Sequence, residues 1–178
     1  MKARLRTLAG LAASAAVMIA ISAGSASASS PSQEGPSGTT FGTILAHSCQ
    51  SVGSIGSWQG VFCADLIEYE GQYYAQAEAI CQTTGSTPAT GICNNVYLPS
   101  LGLYYIPPGG STTLGGSMTD AYCEGNCTSP RSFFAEPFGQ YVSGYNYWAV
   151  VGNGAFITLP NGQTEYLNNN LGSGHVTA

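Results

Sequence analysis

The stretch Gln72-Tyr-Tyr-Ala-Gln-Ala-Glu-Ala-Ile-Cys-Gln82 decides how the chain is read. In an extended backbone Tyr73, Ala75, Ala77, Ala79 and Cys81 fall on one side, and Gln76, Glu78 and Gln82 on the other. That two-residue alternation marks a half-buried β-strand. An Ala-rich helix is the rival reading of the same residues. The preceding segment, Gly60–Tyr69, is apolar on both faces, and Glu70-Gly71-Gln72 supplies a three-residue hairpin loop. Tyr69 then lies opposite Tyr73, and Val61, Cys63, Asp65 and Ile67 share a face with Ala75, Ala77, Ala79 and Cys81. In that register Asp65 points among apolar residues, while Glu68 and Glu70 lie on the outer face with Glu78.

Outward from this hairpin, further strands are expected at Phe41–Ser48, Ile92–Leu98, Met118–Cys123, Tyr147–Val151, Ala155–Leu159 and Gln163–Leu167. Asn153-Gly154 and Asn161-Gly162 are turn signals that make the last three a meander. The expected fold class is all-β: an antiparallel β-sandwich or small barrel of about eight short strands, braced by disulfides.

Met1–Ala28 has the pattern of a secretory signal peptide. Lys2, Arg4 and Arg6 precede an apolar run, Leu8–Ile21, and Ala26-Ser27-Ala28 fits a small-x-small cleavage site. The run is shorter than the roughly 20 residues a membrane span needs. Residues 29–40, rich in Ser, Pro and Gly, are expected as a disordered leader, 41–167 as one domain, and 168–178 as a flexible tail. The expected location is extracellular, with no membrane association after cleavage.

Charge is scarce. The chain of 178 residues has 4 basic and 9 acidic side chains, and Arg131 is the one Lys or Arg beyond the signal. One cation cannot neutralise a run of phosphates, so nucleic acid is excluded as a partner. Salt-bridge networks cannot hold such a domain. The 6 cysteines, Cys49, Cys63, Cys81, Cys93, Cys123 and Cys127, all lie in the exported part. An even count in an oxidising compartment implies disulfides. Six cysteines allow 15 connectivities, of which neighbour pairing, Cys49–Cys63, Cys81–Cys93 and Cys123–Cys127, is the one we favour. The spacings are not those of zinc sites, and no metal or cofactor is expected.

The segments Trp58-Gln-Gly-Val-Phe-Cys63-Ala-Asp-Leu, Glu78-Ala-Ile-Cys81-Gln and Tyr147-Trp148-Ala-Val-Val resemble small secreted, disulfide-containing proteins of unknown function from high-GC Gram-positive bacteria. A looser resemblance is to the neocarzinostatin-like apoproteins, acidic cysteine-bridged β-sandwiches that carry a small chromophore. The first implies a setting outside the cell; the second implies a sandwich fold and ligand carriage.

Signatures of catalysis are absent: there is no Gly-x-Ser-x-Gly, His-Glu-x-x-His or phosphate loop. No catalytic residue is assigned. His47 is the single His inside the expected domain and reads as a surface residue. Asp120, Tyr122, Glu124 and Asn126 alternate like calcium ligands but lack the full loop pattern and read as a turn. The aromatic run Tyr141, Tyr145, Tyr147 and Trp148, with Tyr104-Tyr105 and Tyr73-Tyr74, suits an extracellular protein or glycan partner if the rings are exposed. Tyr145, Tyr147, Trp148 and Arg131 are therefore the candidate binding residues. The expected function is a secreted, non-enzymatic binding or structural protein. One alternative is a protease inhibitor with Arg131 on a braced reactive loop after Cys127. Another is a carboxylate-dependent hydrolase using Asp65, Glu68 and Glu70.

Overall fold

A computed structural model of the protein describes residues 42–178. The expected signal peptide, 1–28, and leader, 29–40, lie outside the described residues. The chain folds as β1 (Thr43–Ile55), β2 (Trp58–Tyr69), β3 (Gln72–Thr83), β4 (Ile92–Ile106), β5 (Thr113–Thr128), β6 (Arg131–Ala135), β7 (Asn146–Val151), β8 (Phe156–Thr158), β9 (Thr164–Tyr166), β10 (Leu171–Gly172) and β11 (Val176–Thr177). The first five strands, 12 to 16 residues each, are longer than the short strands expected. Residues 72–83 are strand, not helix.

Two antiparallel sheets form the sandwich. The first has the order β1-β2-β3-β6. The second is built on β4, with β5 along one edge and β7 and β8 along the other; β9 pairs with β8, and β10 and β11 pair with β7. The segment 168–178, read above as a flexible tail, thus carries two strands of the second sheet.

The anticipated meander of the last three segments is not what forms. β7 and β8 both run antiparallel to β4, end to end, opposite Leu101–Ile106 and Asn95–Tyr97. Asn153-Gly154 is a turn in the break between β7 and β8, which do not pair with each other, and so is not a hairpin turn. It lies where β4 carries Pro99, which has no N–H to offer a ladder. Asn161-Gly162 does join a true hairpin, β8–β9.

The hairpin β2–β3 also differs from expectation. Its turn has two residues, Glu70 and Gly71, at φ of 51° and 74°. Tyr69 pairs with Gln72, and Asp65 with Gln76. A shift of one residue reverses which side chains share a face. Phe62, Ala64 and Leu66 join Ala75, Ala77 and Ala79 on the core side, all completely buried. Cys63 and Asp65 turn outward. From the second sheet Leu101, Leu103, Ala149, Val151 and Ile157 complete the core. Three successive core-facing alanines on β3 leave space for the larger side chains around them, which keeps the layer densely packed.

The three disulfides are the neighbour pairs. Cys49–Cys63 links β1 to β2 across a directly opposed pair, and Cys81–Cys93 ties one sheet to the other. Cys123–Cys127 closes a loop inside β5, around Gly125 and Asn126 at φ of 64° and 53°. The first two close loops of sizes that constrain the unfolded chain by about 2–3 kcal/mol each on a chain-entropy model.

Candidate functional site

At the end of the sandwich where β3 and β7 begin and β4 ends, the two sheets part around a cavity of about 260 Å³. Five tyrosines line it: Tyr73 from β3, Tyr105 from β4, Tyr147 from β7, and Tyr141 and Tyr145 from the β6–β7 loop. Leu103, Leu114, Phe138 and Val142 supply apolar wall, and no Asp, Glu, Lys, Arg or His lines it. Tyr73 and Tyr147 form the buried part, edge to face with centroids 4.8 Å apart. Tyr105 and Tyr145 stack at 5.5 Å, and Tyr141 stacks on Tyr147 at 6.0 Å. Phe138, Tyr141 and Val142 form an exposed lip.

The lip is held from two sides. Phe138 donates its N–H to the Gly115 carbonyl, and Pro137 bridges Gly116. Gly116 must be glycine for this: a Cβ there would stand 2.2 Å from the Glu136 carbonyl oxygen. From inside, the Tyr147 hydroxyl accepts the Val142 N–H at 3.0 Å and donates to the Val142 carbonyl at 3.4 Å. Burial pushes the Tyr147 phenol above the ordinary tyrosine range. Tyr73 is raised by burial first, then by the neighbouring Tyr141 and Glu68.

The candidate binding residues named from the sequence are separated by the fold. Tyr145 and Tyr147, two apart, share the cleft. Trp148 takes the opposite face of β7, stacked between Tyr104 at 5.8 Å and His175 at 4.3 Å. Arg131 opens β6, paired with Ala79 and half-buried, with its guanidinium 5.9 Å from the Phe133 ring. It sits in a sheet, not on a projecting loop. Asp120 lies on β5 and accepts the Tyr97 hydroxyl at 2.8 Å.

The outer face of the first sheet carries a polar group that sequence reasoning did not assemble. Register places two adjacent rows across all four strands, His47–Asp65–Gln76–Phe134 and Cys49–Cys63–Glu78–Ser132. Asp65, Gln76 and Ser132 are buried there. His47 Nδ1 bonds Asp65 Oδ1, and Gln76 Nε2 donates to Glu78 Oε1 at 2.8 Å. Burial raises the Asp65 carboxyl against the opposing pull of His47. Burial raises Glu78 too, with the Asp65 charge adding to it. Glu68 faces the other side, paired with Tyr73, and Glu70 is in the turn. Asp65, Glu68 and Glu70 therefore do not converge; Asp65 meets His47 and Glu78 instead. The alternation Gln76-x-Glu78 was visible in the sequence, but joining it to Asp65 required the turn length.

Comparison with known proteins adds no relative: no family model matches the chain, and neither a curated protein nor a solved structure matches it significantly.

Proposed function

We propose that this is a secreted binding protein that takes a small neutral ligand with a flat apolar face into the tyrosine cleft. The observation that carries this reading is the convergence of five tyrosines on a cavity of about 260 Å³ with no charged side chain in its lining. A tyrosine offers a flat apolar body and a hydroxyl at its tip, so such a lining suits a ring that stacks and also forms hydrogen bonds. The volume lies just below the range of about 300–1,000 Å³ typical of ligand sites. It suits one or two fused rings or a single sugar ring. An ionised ligand would surrender its hydration without a partner charge. The three disulfides and the expected signal peptide at 1–28 support a role outside the cell.

Calorimetry against matched neutral and charged ring compounds, aromatic and carbohydrate, tests the reading. A neutral ring should bind at least tenfold more tightly than its charged counterpart. Tyr105→Ala and Phe138→Ala should each weaken binding tenfold in proteins whose circular dichroism is unchanged. Equal affinity in both variants would remove the cleft as the site.

A further inference from the structure

On the outer face of the first sheet, His47 and Cys49 are two residues apart on β1, and Cys63 lies directly opposite Cys49 on β2. The cysteine spacings along the chain argued against a metal, but strand pairing brings together what the sequence separates. His47 Nε2 stands 3.0 Å from the Cys49 sulfur, and the ligand atoms of His47, Cys49 and Cys63 all lie within 4.8 Å of one another. In a tetrahedral zinc site, bonds of about 2.3 Å to sulfur and 2.0 Å to nitrogen put ligand atoms about 3.5–3.8 Å apart. The two sulfurs reach that spacing only after the bond between them is broken and both side chains turn apart.

The histidine is also set up for such a role. Nδ1 is engaged by the Asp65 carboxylate, which leaves Nε2, on the side of the sulfurs, as the nitrogen for a metal. A carboxylate holding the far nitrogen of a ligating histidine is the usual arrangement behind protein-bound zinc. Asp65 is completely buried, and its second oxygen, Oδ2, has no hydrogen-bond partner among the described residues. A buried carboxylate with an unmet oxygen is costly where nothing cationic completes its surroundings.

We propose that Cys49, Cys63 and His47 form a latent zinc site, closed while the Cys49–Cys63 disulfide is intact and opened by a dithiol reductant. The dithiol's thiolate attacks one sulfur, and the S–S bond breaks through a mixed disulfide. Two electrons pass to the protein sulfurs while the reductant becomes a cyclic disulfide. The two thiols then lose their protons to solvent as the cation binds two thiolates and Nε2. Water fills the fourth position, on the open side where His47 is 51% exposed. Asp65 is a positioning residue. Access favours this bridge over Cys81–Cys93, because Cys49 is exposed while both Cys81 and Cys93 are completely buried.

The test uses the full exported chain, reduced with dithiothreitol, freed of reductant without oxygen and titrated with Co²⁺ as the probe for zinc. One equivalent should give a thiolate-to-cobalt absorption band, in the wild type and in Cys123→Ser/Cys127→Ser alike. The band should vanish in Cys49→Ser/Cys63→Ser. Affinity should fall at least tenfold in His47→Ala and roughly 10–100-fold in Asp65→Asn, the range for lost carboxylate partners. A band of equal affinity in Cys49→Ser/Cys63→Ser or His47→Ala would overturn the proposal. So would a reduced wild type that takes up no Co²⁺, or one that unfolds on reduction and is not refolded by the metal.

Discussion

In the cleft, polar atoms sit at the tips of large rings whose bodies pack against one another; on the outer face of the first sheet they sit on short side chains that are buried whole. Tyr73 and Tyr147 keep their hydroxyls where a loop or a neighbouring ring can use them. Asp65 and Gln76 have no such reach, and each leaves one oxygen without a partner. The difference follows from side-chain length at equal burial. A tyrosine can contribute area to the core and still deliver its hydroxyl to the rim, whereas a carboxyl one bond from Cβ must find its partner on the sheet itself.

The largest effect that separates the two regions is truncation. Tyr147→Ala empties the buried wall of the cleft and should cost about 3–5 kcal/mol, as large aromatic-to-alanine changes do. His47→Ala removes a half-exposed ring and leaves the buried Asp65 carboxyl without its one partner, and should cost less, about 1–3 kcal/mol. Urea unfolding of both, at neutral pH with the disulfides intact, measures the contrast. Equal losses would show that the outer face is structural in the same sense as the cleft.

A smaller change isolates the hydroxyl. Tyr147→Phe keeps the ring and drops both contacts to Val142, so it should cost about 1 kcal/mol. It should also loosen the 136–145 lip, seen as faster chymotrypsin cleavage after Phe138 or Tyr141. Cleavage at the wild-type rate would mean that the contacts at Gly115 and Gly116 hold the loop without the hydroxyl.

How far these regions were legible in the sequence depends on one turn. The alternation over Gln72–Gln82 correctly gave a strand and the core-facing alanines, because each needs only the period of the backbone. The face that β2 presents needed the loop length, and Glu70-Gly71 does not announce a two-residue turn. Asn or Asp precedes Gly in most such turns, whereas Glu70 takes φ of 51° at a cost of order 1 kcal/mol. Reading three loop residues reversed Cys63 and Asp65 together, which hid the His47–Asp65–Glu78 group. Neighbour pairing of the cysteines survived that error because Cys63 reaches β1 from either face reading. Trp148, grouped with Tyr145 and Tyr147 on the sequence, lies on the opposite face of β7, because neighbours on a strand point to opposite sides.

Alkaline titration probes the cleft next. Burial holds the Tyr73 and Tyr147 phenols above their ordinary range. A raised folded pKa means that the unfolded chain loses its proton first as pH climbs past about 10. Stability is then whole below that point and is lost as pH rises toward the folded values. Ultraviolet titration of the folded protein should show part of the tyrosine signal ionising late and together with unfolding. A single unperturbed titration, with unfolding unmoved, would open the cleft floor to water and contradict its burial.

The smallest effect belongs to the outer face and has the opposite location in pH. Glu78 is raised first by burial and then by the Asp65 charge, while His47, Ser132 and Gln76 pull it down. With the raising causes ahead, the folded protein keeps this proton at a pH where the unfolded chain, near 4.3, has released it. Folding takes up a proton in that window, so the stability contributed by Glu78 is whole below it and declines as pH rises through it. Glu78→Gln removes the ionisation and retains an oxygen to accept from Gln76. The variant should match the wild type near pH 4 and melt slightly higher near pH 7, with a flatter profile between. Asp65, raised in the same direction, keeps a residual slope in the variant. A variant less stable than the wild type at pH 7 would mean that Glu78 is held there by its bonds as a stabilising charge. The outer face would then be as well satisfied as the cleft, and the contrast between the two regions would fail.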